Sequence, residues 1–375
     1  MNKDEKDLLL LLKIGLGNEN GNDICSITNI DWLRIFELSV EQTVTGTVAD
    51  AFTKLREDAK PTKKIMLQWI ARVANIEQTN KKQNESLEKL INEIKHLGTQ
   101  PILIKGQGFA LNYPKPLHRQ CGDIDIFFKT KEECNKAIAW AHKIDPEAKE
   151  SFENKRERKH YTFIYKNSIV EIHHFLCLFE NKRLQALLQT IIKEELNKEE
   201  NSVIYINGSE CLILPPTLSV LHQIIHISRH LLEAGIGMRQ ICDLATYLEK
   251  YCDSINKEHL QAYIINLELE NIAEAIGFII HKYLGLSITK VPFKIKEDNA
   301  DFILNEIFEG GNFGTNRTQY RDTKFNIIRK IKSIVYFYHR CYKYRHLLPS
   351  ESKSYFFNKI LLNLKLITNT NITKN

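Results

Sequence analysis

The chain has 375 residues, with 52 Lys+Arg against 46 Asp+Glu for a formal charge of +6, and it is 43% hydrophobic and 26% charged. That is ordinary globular usage, which excludes a collagenous, mucin-like or wholly disordered chain, and at roughly 150 residues per domain the length suits about two or three units. No apolar run approaches the roughly 20 residues that a bilayer span requires.

The first elements in chain order are helical. The apolar run 8–12 follows a segment of mixed charge and is broken by Lys13, which suits neither a signal peptide nor an anchor and predicts the buried face of a first helix. Apolar residues recur at three- and four-residue spacing in Trp32, Ile35, Phe36 and Leu38, and again in Ile65, Leu67, Ile70, Val73 and Ile76. A further helix is expected over 86–96, ended by Gly98. The pattern then changes. Residues 101–105 (PILIK) and 123–128 (DIDIFF) read as strands, with a short helix over 107–112 between them that ends at Tyr113-Pro114-Lys115-Pro116. Residues 131–142 predict a helix, and 160–165 with 169–174 predict a hairpin turning at Lys166-Asn167-Ser168. From about 184 the chain is helical again, except for a strand pair at 203–206 and 210–214 turning at Asn207-Gly208, a strong hairpin signal. Helices over 217–234 and 238–252 follow, and the polar end 368–375 is expected to fray. Helices, a small mixed sheet and more helices make an α+β chain. The expected divisions are an N-terminal helical region (1–98), a catalytic core (99–180), a helical region with a short hairpin (181–319) and a basic aromatic segment (320–375).

The net charge is unevenly distributed. Residues 320–375 hold 12 Lys/Arg and 2 acids, a local +10, which leaves 40 basic and 44 acidic side chains, or −4, in the other 319 residues. The eight cysteines are scattered without a CxxC pair, which fits reduced, mostly buried thiols of a cytoplasmic protein and disfavours a cysteine zinc site.

The chemistry concentrates in Gly122-Asp123-Ile124-Asp125-Ile126. Alternation along a strand puts Asp123 and Asp125 on one face and both isoleucines in the core. Two such carboxylates repel unless a cation lies between them, and their spacing suits Mg²⁺ or Mn²⁺. Glu171, in Ile169-Val170-Glu171-Ile172-His173, is a third acid among apolar strand residues, and three acids on neighbouring strands can hold two ions. The competing reading is a solvated strand edge, since a lone DxD is common by chance.

These elements resemble a known family. Ile104-Lys105-Gly106-Gln107-Gly108, Tyr113-Pro114-Lys115-Pro116, Arg119, Gly122-Asp123-Ile124-Asp125 and Val170-Glu171-Ile172-His173 are similar to the uncharacterised bacterial nucleotidyltransferases of the polymerase-β-like superfamily. The resemblance takes in His226, His230, Arg239 and Asp243 (H-x3-H-x8-R-x3-D) and Gly310-Gly311-Asn312-Phe313-Gly314, over about residues 85–320. It implies a small mixed-sheet nucleotidyltransferase core flanked by helices. It also implies Mg²⁺- or Mn²⁺-dependent transfer of a nucleotidyl group from a nucleoside triphosphate to an acceptor hydroxyl, with Asp123, Asp125 and Glu171 as catalytic metal ligands. Family members often occur near polysaccharide biosynthesis functions, which makes a sugar or polysaccharide precursor the expected acceptor. The superfamily usually has Gly-Ser after the first strand. Here Lys105-Gly106-Gln107-Gly108 takes that place, with the glycines opening backbone amides to phosphate and Lys105 supplying charge. Two alternatives keep the fold: transfer of a phospho-linked group onto a glycan, or a non-catalytic nucleotide- or partner-binding module.

Other residues carry two readings each. Arg119 suits a phosphate or an ion pair at the strand entrance. His160 and His173 either border the metal site or are packed core histidines, and His174 is expected to point away. His222, His226 and His230 share a helical face, but without an HExxH pattern packing is favoured over zinc; if that helix covers the site, His226 and Arg239 become acceptor or phosphate contacts. The Gly310–Gly314 loop is expected to need positive φ. The basic aromatic segment is an amphipathic helix on the body, or a peripheral contact with an anionic membrane or polymer, with nucleic acid ranked last.

Overall fold

The computed structural model describes residues 1–153, 157–198, 202–315 and 326–372. Five helices lead: α1 (Lys3–Gly15), α2 (Gly21–Ser26), α3 (Trp32–Glu41), α4 (Thr45–Asp50) and α5 (Lys63–Lys95). A reciprocal cap between Asn2 and Glu5 starts α1, and Leu8, Leu9, Leu11 and Leu12 are buried, as their run implied. The helix expected at residue 86 is the second half of the 33-residue α5, because no Gly or Pro interrupts residues 63–95. The periodicity of its first half misplaces the buried face. Leu67 and Ile70 are 66% and 56% exposed, while Trp69 is buried edge-on against Trp32, Phe36 and Phe52. Farther along α5, Asn80 donates to the carbonyls of Leu117 and Arg119, and Gln83 to that of Gly122, so this helix fixes the chain entering the acidic strand.

The central elements are β1 (Ile102–Leu103), α6 (Gln107–Ala110), β2 (Ile124–Phe127), α7 (Lys131–Ile144), β3 (Lys149–Glu153), β4 (Glu157–Tyr165), β5 (Ser168–His173), α8 (Lys182–Asn197), β6 (Ser202–Ile206) and β7 (Ser209–Ile213). They form one mixed sheet in the order β3-β4-β5-β2-β1-β7-β6. β2 runs parallel to β5 and antiparallel to β1, and β4 is antiparallel to β5. Both hairpin turns use successive positive φ values, at Lys166 and Asn167 and at Asn207 and Gly208. Two points differ from expectation. The polar strand β3 gave no alternating apolar signal, and the β6–β7 hairpin, assigned to the helical region, extends this sheet through parallel pairing of β7 with β1. One face of the sheet packs Ile124, Ile126, Val170 and Ile172 against Leu87, Leu90, Ile91 and Ile94 of α5 and Ala137 and Ala141 of α7.

The remaining helices are α9 (Pro216–Glu233), α10 (Met238–Tyr251), α11 (Lys257–Asn266), α12 (Glu270–Leu284), α13 (Ala300–Gly310), α14 (Asn326–Tyr344) and α15 (Pro349–Ile372). A second, larger apolar cluster joins α9–α13 to α1, α3 and α4. α14 docks through Arg340, which donates to the carbonyls of Leu231 and Leu232 at the end of α9, where a cation suits the helix dipole. Lys343 and the Tyr344 hydroxyl bond the buried Glu306. Part of the basic segment is thus tied into the body, while Tyr338 and Tyr342 stay about half exposed. The tail expected to fray is helical to Ile372; residues 320–325 and 373–375 of the basic segment lie outside the described residues. Among the described residues, no helix is long and apolar enough to cross a membrane.

Candidate active site

The parallel register of β2 and β5 sets Asp125 beside Glu171 and Phe127 beside His173. Asp123 stands just before β2, so Asp123, Asp125, Glu171 and His173 share the face opposite the buried isoleucines. One carboxylate oxygen from each of Asp123, Asp125 and Glu171 lies within 4.8 Å of the others, a group that can hold a metal ion. His160, Glu171 and His173 form the second such group found among the described residues.

The electrostatics differ sharply between neighbours. Asp125 is 2% exposed, and its Oδ1 accepts from Lys105 Nζ at 3.0 Å and His173 Nε2 at 2.7 Å. Burial works to raise its pKa, but Lys105 and His173 prevail and hold the carboxyl well below the usual range. Asp123 moves the other way: the charge of Asp125, then burial, push it up to about 6 against the pull of Lys105. Glu171 is lowered despite burial, by its hydrogen bond to His173 and the charge of His160. His173 is raised despite burial by Asp125 and Glu171, and Lys105 despite burial by Asp125 and Asp123. The raised pKa of Asp123 marks it as the carboxyl that a cation beside Asp125 would favour most. Three hard oxygen donors fit Mg²⁺ or Mn²⁺.

These groups floor a cavity of about 290 Å³ whose far wall is α9 and α10. The Lys105–Gly108 turn contributes less than its sequence suggests. Lys105 and Gly106 line the cavity, and Gly106 has φ +62° with a notional Cβ 3.2 Å from the Asp123 carbonyl, so only glycine fits. Gln107 is buried and donates to Gln83, and Gly108 packs beside Leu103, Ile204 and Ile213, away from the cavity. The helix they open, α6, is a single turn, and the Gly108 N–H is already bonded to the Lys105 carbonyl at 3.3 Å.

Arg119 borders the cavity but is committed elsewhere. Its Nε and Nη2 each lie 2.7 Å from the carboxylate oxygens of Asp243, which also accepts from the Tyr113 hydroxyl at 2.7 Å. The geometry is the ion pair and not a free phosphate fork. Arg239 differs: Nη1 donates to the Gln120 carbonyl at 2.8 Å, and Nε is buried without a hydrogen-bond partner. Burial, then neighbouring Arg119, lower its pKa. His226 and His230 face each other Nε2 to Nε2 at 3.0 Å on the cavity wall, and His230 packs on Phe313. Phe313 and its neighbours Gly311 and Gly314 have positive φ, as the glycine pattern implied. His174 lies on the opposite face, lining a different cavity with Cys134.

Two further residues of this wall took no assigned role from the sequence. Gln223 is 5% exposed with both amide ends unpaired, and nothing in the helical pattern singles out a glutamine beside the histidine row. His222 is buried near the floor, and burial, then Lys105 and His173, push its pKa down to about 3, so it is neutral. Its place in that row was readable; its nearness to Asp125 depends on how α9 crosses the sheet.

No curated protein matches the chain. The solved structure of an antigenic nucleotidyltransferase-like protein from Paracoccidioides brasiliensis is 14% identical, with a TM-score of 0.34, over 58% of this chain and 94% of that one. A family model described as uncharacterised nucleotidyltransferase matches residues 28–285, reaching farther into the N-terminal helices than the motifs suggested and ending before the glycine loop at 310. With most of its length matched, acidic strands and cavity wall included, the chain belongs to this family of uncharacterised nucleotidyltransferases.

Proposed function

We propose that the protein transfers a nucleotidyl group from a nucleoside triphosphate to an acceptor hydroxyl, with Mg²⁺ or Mn²⁺ held by Asp123, Asp125 and Glu171. The observation that carries this reading is the convergence of those three carboxylates on the floor of one cavity in a chain of nucleotidyltransferase ancestry. Bound there, a divalent ion supplies Lewis-acid charge for phosphoryl oxygens and lowers the pKa of the attacking oxygen. Lys105 keeps Asp125 ionised and in place. Glu171, kept anionic by His160 and His173, accepts the proton of the acceptor hydroxyl. Arg239, with its buried unpaired Nε, binds a phosphate of the donor. Arg119 positions the strand entrance through Asp243 and takes no direct part.

Labelled nucleoside triphosphates incubated with Mg²⁺ or Mn²⁺ and candidate acceptors, sugars included, test the proposal. The wild type should release pyrophosphate and label an acceptor, and Asp123→Asn and Asp125→Asn should lose turnover by orders of magnitude. Failure to bind or consume any nucleotide under these conditions would overturn it.

A further inference from the structure

The sheet carries a second constellation beside the carboxylates. In the antiparallel pairing of β4 with β5, His160 stands directly opposite His173, and Glu171 lies two residues back on the same face. Their side chains converge: His160 Nε2 is 3.2 Å from Glu171 Oε1, and His173 Nε2 is 3.6 Å from Glu171 Oε2. One ligand atom from each lies within 4.8 Å of the others. We infer that His160, Glu171 and His173 form a distinct site for a borderline transition-metal ion of the Mn²⁺, Co²⁺ or Zn²⁺ class, sharing Glu171 with the all-oxygen site.

The distances suit that assignment. Ligands at about 2.0–2.2 Å from one ion lie about 3.0–3.5 Å from each other, and the nitrogen–oxygen separations on this face fall close to that span. The donor types also separate the two sites. Imidazole nitrogen selects first-row transition metals and gives Mg²⁺ little, whereas carboxylate oxygen alone favours the hard ions. His173 Nε2 donates to Asp125 when protonated. On metal binding that proton passes to solvent, the His173 ring rotates so that Nε2 faces the ion in place of Asp125, and Asp125 keeps its bond to Lys105 at 3.0 Å. No new backbone arrangement is needed, because the cross-strand register already sets the two imidazoles and the carboxylate.

The competing explanation is a pair of histidine–glutamate ion pairs with no metal. Co²⁺ distinguishes them through its visible ligand-field absorption, which reports nitrogen ligation without any assay of turnover. The chelator-stripped full chain is titrated with Co²⁺ in excess Mg²⁺, alongside Asp123→Asn, His160→Gln and His173→Gln. One Co²⁺ per chain should bind with ligand-field bands that survive the Mg²⁺ and persist in Asp123→Asn. Loss of a supporting residue around a metal costs about 10- to 100-fold in affinity, so each histidine substitution should weaken Co²⁺ by at least about tenfold. Should His173→Gln fail to fold, the partly exposed His160→Gln carries the test. Affinity unchanged in His160→Gln, or Co²⁺ displaced by Mg²⁺ on equal terms, would overturn the site. Nucleotide turnover is read separately through Asp123→Asn, so failure of either proposal leaves the other standing.

Discussion

Replacing Asp123 by Asn keeps the shape of the side chain and removes its charge. In the folded, metal-free protein this carboxyl titrates at about 6 in place of the usual 3.8, chiefly because Asp125 is beside it. At 1.36 kcal/mol per tenfold change, ionising Asp123 costs the fold about 3 kcal/mol once the pH is above both values. The folded pKa is the higher one. Its contribution is therefore intact below about pH 3.8 and is lost as pH rises through about 6. In chelator, Asp123→Asn should be more stable than wild type by up to about 3 kcal/mol near pH 8, and the gap should close by about pH 4.

Urea unfolding followed by circular dichroism across that pH range measures the difference. The same melts in Mg²⁺, which an imidazole-bearing site takes poorly, supply the second half of the test. An ion at 100 times its dissociation constant stabilises the folded state by about 2.7 kcal/mol. The wild type should gain about that much, and Asp123→Asn should gain little. A variant less stable than wild type in chelator at pH 8, or a gap that does not change with pH, would refute the charge argument. Equal stabilisation of both proteins by metal would refute the ligand assignment.

Four further outcomes follow from the same geometry. Gly106→Ala forces a side chain into φ +62° with its Cβ against the Asp123 carbonyl, which should cost about 1–3 kcal/mol and weaken metal binding, as read by denaturation and Mn²⁺ titration. Arg119→Met leaves buried Asp243 without its cation and should lose about 3–5 kcal/mol in urea; wild-type stability would show that the pair is dispensable. Arg239→Gln should raise the dissociation constant for nucleotide by about tenfold (1.4 kcal/mol), whereas its loss of stability should stay within about 0.5–1.5 kcal/mol, the worth of its one hydrogen bond to the Gln120 carbonyl. His118 lies between Asp50 (2.7 Å) and Glu77 (2.8 Å), which raise its pKa despite burial. Its stabilising contribution should be full below about pH 6.5 and disappear as pH rises through the folded value, so the gap between wild type and His118→Gln should shrink from pH 6 to 9.

What was legible in the sequence is what depends on local pattern alone. The period of two put Asp123, Asp125, Glu171 and His173 on one face and Ile124, Ile126, Val170 and Ile172 on the other, and no tertiary information was needed for that. The helices and both hairpin turns were readable for the same local reason. Partnerships across the fold were not. Arg119 meets Asp243 124 residues away, and only the seating of α10 beside the strand entrance decides that its fork goes to a carboxylate. Gln107 and Gly108 looked like a phosphate turn because glycine spacing is local, whereas the one-turn length of α6 and its packing under β1 are not. Leu67 and Ile70 satisfied a helical period but lie outside the face that Trp69 buries.

The charge of the chain can now be placed. On the cavity floor, Lys105 and His173 both serve Asp125, His160 serves Glu171, and Asp123 is left with a raised pKa. Arg119 adds nothing to this balance, because Asp243 cancels it, and Arg239 stands on the opposite wall. Within the basic segment, Arg340 and Lys343 are bound to α9 carbonyls and Glu306. Asp123 is thus the carboxyl held against a like charge. A divalent cation is the simplest group that relieves that repulsion without displacing Lys105, which is why the metal response of Asp123→Asn is the measurement on which the functional reading turns.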